Sequence, residues 1–192
     1  MRSPARITLS ACLVSALLLG AVAAPGLYEY TDAELAGPEQ PIAFSHKVHA
    51  TDLTIPCLYC HTAATRSQHA TVPAVSICMG CHQWVRTGPS EGSAEEIAKI
   101  HDYYQRGKSI PWIRVHGVPE YVQFKHHRHV RAGVACQTCH GPVETMNRVY
   151  MTPDTKLRPH SLWLPAAKLE MGWCMDCHEK RGASKDCAAC HY

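Results

Sequence analysis

The sequence predicts a mostly α-helical and irregular fold, low in regular secondary structure, with a core filled by bound groups as much as by side chains and with one N-terminal transmembrane helix. Three observations carry this. The pattern Cys-x-x-Cys-His occurs five times, at Cys57 to His61, Cys78 to His82, Cys136 to His140, Cys174 to His178 and Cys187 to His191. Only two phenylalanines stand in 192 residues, and the 46% hydrophobic share is raised by eleven cysteines and an apolar N-terminus, so side chains alone make a thin core. The run Ile7 to Ala24 is eighteen residues without a charge.

At about 1.5 Å per helical residue that run is long enough to span most of a bilayer core. Ala21-Val22-Ala23-Ala24 offers a small-residue cleavage pattern, the mark of a signal peptide. We favour an uncleaved anchor over residues 1–28, with Arg2 and Arg6 on the cytoplasmic side and Tyr28 and Tyr30 at the outer interface. Leu9-Ser10-Ala11-Cys12 resembles a lipoprotein box, but most of the apolar run follows Cys12, so this cysteine reads as a small helix residue. Residues 29–41, acidic and carrying Pro38 and Pro41, read as a linker. The main domain spans 42–192.

Ten of the eleven cysteines fall into these five equally spaced pairs, each followed at once by histidine. Disulfides do not require that histidine, and five pairs cannot be divided evenly among four-ligand zinc sites. The pattern is that of covalent c-type haem attachment. Spacing of three puts the two thiols on one side of a helical turn, where they add across the porphyrin vinyl groups. The thioether cysteines are therefore Cys57, Cys60, Cys78, Cys81, Cys136, Cys139, Cys174, Cys177, Cys187 and Cys190, for five covalently bound haem c groups. The proximal iron ligands are His61, His82, His140, His178 and His191. Five porphyrins bury apolar area at roughly 25 cal/mol per Å² and supply the missing core.

Five distal positions remain. Phe44-x-His46-x-x-His49 precedes the first motif and Phe124-x-His126-x-x-His129 precedes the third, so the chain reads as a duplicated two-haem unit, 42–85 and 122–180, with a fifth site at 187–191. Histidines three apart lie one turn from each other and can reach two different haems. His46, His49, His126 and His129 are distal candidates, with His116 as the fifth; the short intervals put His46 with the first haem and His126 with the third. His69 and Met171 are weaker candidates, and a thioether from Met171 would raise one potential. His127 points about 100° from its neighbour, toward solvent or a propionate. His101 and His160 suit surface positions, and Met79 and Met175 suit packing.

Between the second and third motifs, Ser93-Ala94-Glu95-Glu96 reads as a capping box, with Ile97, Ile100 and Tyr104 on one face and Gly107 as the stop. A proline-punctuated loop through Pro142, Pro153, Pro159 and Pro165 is long enough to touch a partner. The formal charge of +3 does not point to nucleic acid, because haem propionates would add about ten negative charges. Lys125, Arg128 and Arg131 are expected beside those propionates.

With histidine on both faces of every iron, no coordination position is left for a substrate, and the chain is a relay without a catalytic residue. The strings FSHKVHA, IPCLYCH, VSICMGCH, IPWIRVHGVPEYVQFKHHRHVRAGVACQTCHGPVETM and MGWCMDCH resemble the pentahaem cytochrome c subunit of alternative complex III, a bacterial quinol-oxidising respiratory complex. More distantly, Phe-x-His-x-x-His ahead of the attachment motif is similar to class III multihaem cytochromes. The resemblance implies a single-pass inner-membrane anchor with the haem domain on the periplasmic side. It implies partners that include an iron–sulfur protein, polytopic quinol-binding subunits, and a monohaem cytochrome c or terminal oxidase. The alternatives are a self-sufficient membrane-anchored quinol dehydrogenase and, if the N-terminus is cleaved, a soluble shuttle. About thirty residues between Ala24 and Cys57 weigh against the quinol dehydrogenase, which places its first haem close to the membrane. Intact mass and the pyridine haemochrome spectrum are expected to give five covalent haems per chain, and replacing Cys78 and Cys81 together by alanine is expected to remove one.

Overall fold

The structure, a computed structural model, describes residues 37–152 and 169–192. The readings made on residues 1–36, anchor, cleavage and lipidation included, and those on Pro153, Pro159, His160 and Pro165, lie outside the described residues. Among the described residues no helix is long and apolar enough to cross a membrane.

Short helices joined by irregular chain make up the fold, as the sequence leads one to expect. They are α1 (Cys57–Cys60), α2 (Val75–His82), α3 (Ser93–Gln105), α4 (His126–Arg131), α5 (Cys136–His140), α6 (Met171–Lys180) and α7 (Cys187–Cys190). A π-helical turn covers Lys47–Asp52, and 3-10 turns cover Thr62–Thr65 and Val143–Thr145. Paired extended chain among the described residues is a single antiparallel bridge, Val122 to His191. Three of the five attachment motifs begin right after an extended residue, Pro56, Ala135 or Asp186, so the first cysteine opens the helix. At Asp186 the carboxylate accepts from Ala188 N at 3.2 Å, an N-cap that starts a helix of only four residues.

The side-chain core is small. Ile42, Val75, Ile100 and Ile110 are buried against one another, with Cys78, Met79, Tyr103 and Trp112 packed on them. Met79 is thus a packing residue, as its place inside an attachment motif leads one to expect. Helix α3 is the support: Ile97 and Ile100 are buried and it packs on α2. Its inward aromatic is Tyr103, however, while Tyr104 is 51% exposed. The capping box does not form either. Ser93 Oγ donates to Gly88 O (3.1 Å) and accepts from Gly88 N (2.9 Å), tying the helix to the preceding loop. Glu96 accepts from Ala43 N at 2.8 Å, carrying the helix to the start of the domain instead of to its own N-terminus. Gly107 does end the helix: at φ +60° its N–H reaches Tyr104 O (3.1 Å), and Lys108 N reaches Tyr103 O (2.9 Å), a left-handed cap of Schellman type.

The turn around His49 is held by distant chain. Lys47 N donates to Met146 O (3.0 Å), Thr51 Oγ1 to Glu144 O (2.6 Å) and Ser45 Oγ to Asn147 Oδ1 (2.9 Å). Residues just past the third motif therefore hold the segment ahead of the first. Ile100→Ala is expected to cost about 2–5 kcal/mol, because so few side chains share this core; chemical denaturation of the haem-loaded protein measures it.

Candidate functional site

Each Cys-x-x-Cys-His lies on its own helical turn, and its cysteines carry thiols rather than disulfides. Among the described residues no three His, Cys, Asp or Glu side chains cluster as a metal-ion site, so the pairs are not gathered into zinc-type fours. Burial pushes up the thiols of Cys60, Cys78, Cys136 and Cys174, with neighbouring cysteines adding to it.

The imidazoles are held in one tautomer. Nδ1 of His61 lies 2.8 Å from Thr71 O, that of His82 3.0 Å from Val85 O, and that of His178 2.5 Å from Ser184 O. Among the distal candidates, Nδ1 of His49 meets Ser45 O (2.8 Å), that of His126 Gln68 O (3.0 Å) and that of His129 Lys125 O (3.0 Å). A carbonyl oxygen can only accept, so Nδ1 carries the proton and Nε2 keeps its lone pair. This is how a protein prepares a histidine to bind a metal.

Those rings are also paired. Two imidazoles on opposite sides of one metal, each bonded at about 2 Å, have ring centroids roughly 6 Å apart. His49 and His82 are 6.1 Å apart, His126 and His140 6.3 Å, and His129 and His178 6.0 Å. Each pair joins a distal candidate to a proximal one. The two phenylalanines set the geometry twice over. Phe44 meets His46 edge-on at 4.9 Å and stacks on His49 at 4.4 Å. Phe124 meets His126 edge-on at 4.7 Å and stacks on His129 at 4.4 Å. The two Phe-x-His-x-x-His turns thus repeat the same ring geometry.

The other predicted residues are placed as follows. His46 is half-buried with Nδ1 unpartnered, its pKa lowered to about 4 by burial and then by His61 and His49. Burial and the neighbouring His116, His126 and His61 hold His140 at about 4 as well. His116 lies edge-on against His140 at 4.7 Å with its Nε2 buried and unpartnered. The ring against His191 is Tyr121, stacked at 5.9 Å. His69 is exposed, and Met171 is 63% exposed. His127, expected toward solvent or a propionate, is half-buried: its backbone N–H donates to Ser67 O, and its Nδ1 is buried without a partner. Arg131 sends Nε to Thr65 O (3.1 Å), which docks α4.

His101, expected at the surface, is half-buried: its Nε2 lies 2.8 Å from His82 O, and Arg86 Nη1 lies 2.8 Å from that Nε2 and 3.0 Å from Nδ1. That support of a proximal candidate has no sequence signature, and neither do the carbonyls of Gln68, Thr71, Val85 and Ser184, because any residue supplies them. The orphaned nitrogens of His46 and His116, the fixed tautomers and the ring separations all fit iron in covalently attached haem.

Repeated attachment turns with histidines prepared on both sides define the class, a multihaem c-type cytochrome. Residues 122–192, which carry the third to fifth motifs, match the family described as cytochrome c7 and related cytochrome c. Over 183 residues the chain is 29% identical to the multiheme cytochrome c subunit of a menaquinone reductase from Nitratidesulfovibrio vulgaris, covering 86% of this chain and 83% of that protein.

Acid should loosen this site. His46 and His140 are neutral when folded, with pKa values near 4, while in the unfolded chain each takes up a proton near 6.5. Their contribution to stability is complete above pH 6.5 and is lost as pH falls toward about 4. Circular dichroism of the chain without haem is expected to report that loss over the same interval.

Proposed function

We propose that the chain is the electron-transfer subunit of a quinone-linked membrane complex and relays electrons through five c-type haems without transforming a substrate. The observation that carries this is the pairing of prepared imidazoles, distal with proximal, at three motifs. Bound there, haem accepts and gives up single electrons. The chain's own residues fix the imidazole tautomers through backbone carbonyls, and at those three motifs the facing imidazoles would hold the iron from both sides and leave no position for a substrate. Axial-ligand identity and the hydrogen bonds on Nδ1 are its means of setting each potential.

The resemblance to the alternative complex III subunit supports an iron–sulfur protein, polytopic quinol-binding subunits and a monohaem cytochrome c as neighbours, with electrons leaving toward a periplasmic cytochrome or terminal oxidase. The run Ile7 to Ala24 supports an inner-membrane anchor with the haem domain in the periplasm. Similarity to a menaquinone reductase subunit favours a second reading in which the same relay carries current toward a quinone-reducing partner. Both readings keep the chain itself non-catalytic.

The purified, loaded chain is expected to bind no carbon monoxide and to oxidise no menaquinol by itself. Rapid quinol oxidation by the isolated chain would establish the self-sufficient quinol dehydrogenase instead. His49→Met is expected to raise the midpoint potential of one haem and leave the others near their original values, read by spectroelectrochemical titration.

A further inference from the structure

We infer that the five attachment motifs stand in space in the order second, first, third, fourth, fifth, so that the two halves of the duplicated unit join through the first and third motifs; this rests on the relay reading above. Chain order would instead send the current from the second motif directly to the third.

The first and second motifs touch. The Tyr59 hydroxyl, inside the first, lies 3.8 Å from where a Cβ on Gly80, inside the second, would stand. The distal candidates His46 and His49 share one turn under Phe44, and His49 faces His82 at 6.1 Å. On its other side the second motif meets α3, where His101 holds the carbonyl of His82.

The halves cross at the segment that follows the first motif. Helix α4, bearing the distal candidates of the second half, is docked there by backbone. Gln68 O accepts from His126 N (3.1 Å) and from His126 Nδ1 (3.0 Å), Ser67 O accepts from His127 N (3.2 Å), and Thr65 O accepts from Arg131 Nε (3.1 Å). The leading thiols of the two motifs are neighbours: beyond burial, Cys57 helps push up the Cys136 thiol. The imidazole facing His140 is therefore oriented by chain from the first motif's neighbourhood.

From the third motif onward spatial order and chain order agree. His126 and His129 stand on one helix and face His140 and His178, at 6.3 and 6.0 Å. The turn after His178 closes through Ala183 N to His178 O (2.8 Å) and leads within a few residues to the fifth motif. That motif is fastened by Gln123 N to Cys190 O at 2.7 Å. The histidines of the two terminal motifs are followed by strongly exposed aromatics, Trp84 (81%) and Tyr192 (83%). Electrons thus enter and leave at the second and fifth motifs and cross between halves from the first to the third.

Locating the irons of the loaded protein by anomalous diffraction at the iron absorption edge, with each assigned to its cysteine pair, tests this order. The iron on Cys57 and Cys60 is expected to be the shared neighbour of the irons on Cys78/Cys81 and Cys136/Cys139. An iron on Cys78/Cys81 that is nearer to that on Cys136/Cys139 than the first iron is would overturn the order while leaving the relay intact. An iron with an open coordination face would overturn the relay reading, and the order would still be read from the same positions.

Discussion

The fold depends on one constraint above the others: a histidine can ligate a metal only if its ring is aimed and its proton is on the far nitrogen. A backbone carbonyl at Nδ1 does both at once, and six of the ligand candidates have one. The carbonyls come from loops and helix ends, and those of Ser45 and Lys125 also accept a backbone N–H of the turn they start. A fold with long helices and a sheet would have fewer of them to offer. Low regular secondary structure is therefore what allows so many rings to be oriented in so short a chain.

The thin core follows from the same arrangement. The clustered buried side chains collect around Ile42, α3 and the second motif, while most motif residues are exposed or half-buried in the protein alone. Porphyrins carry the apolar area that would finish the interior. The long-range bonds at Ser45, Lys47 and Thr51 hold the chain across the gap between the first and third motifs.

Much of the site is legible in the amino-acid order alone. Cys-x-x-Cys-His names its own chemistry, and Phe-x-His-x-x-His puts four distal candidates one turn apart because helical geometry is local. Three of these four face a proximal histidine, and the repeat of Phe44 in Phe124 is reproduced in ring angles of 27° and 25° on the stacked histidine. Legibility fails where distant chain decides. Local spacing marks Ser93 as a cap, yet Gly88 claims its hydroxyl. Periodicity does not separate Tyr104 from Tyr103, and only the position of the small core selects Tyr103. His101 reads as a surface residue because nothing local ties it to His82, nineteen residues away.

The amino-acid sequence by itself determined the attachment motifs, the candidate ligands, the repeated Phe-x-His-x-x-His turn and the shortage of apolar side chains, because each is written in spacing of a few residues or in composition. The tertiary structure alone decided which distal ring faces which proximal ring and which carbonyl fixes each tautomer. Those relations join residues as far apart as Gln68 and His126, and such contacts arise from how loops pack, which short-range periodicity does not encode.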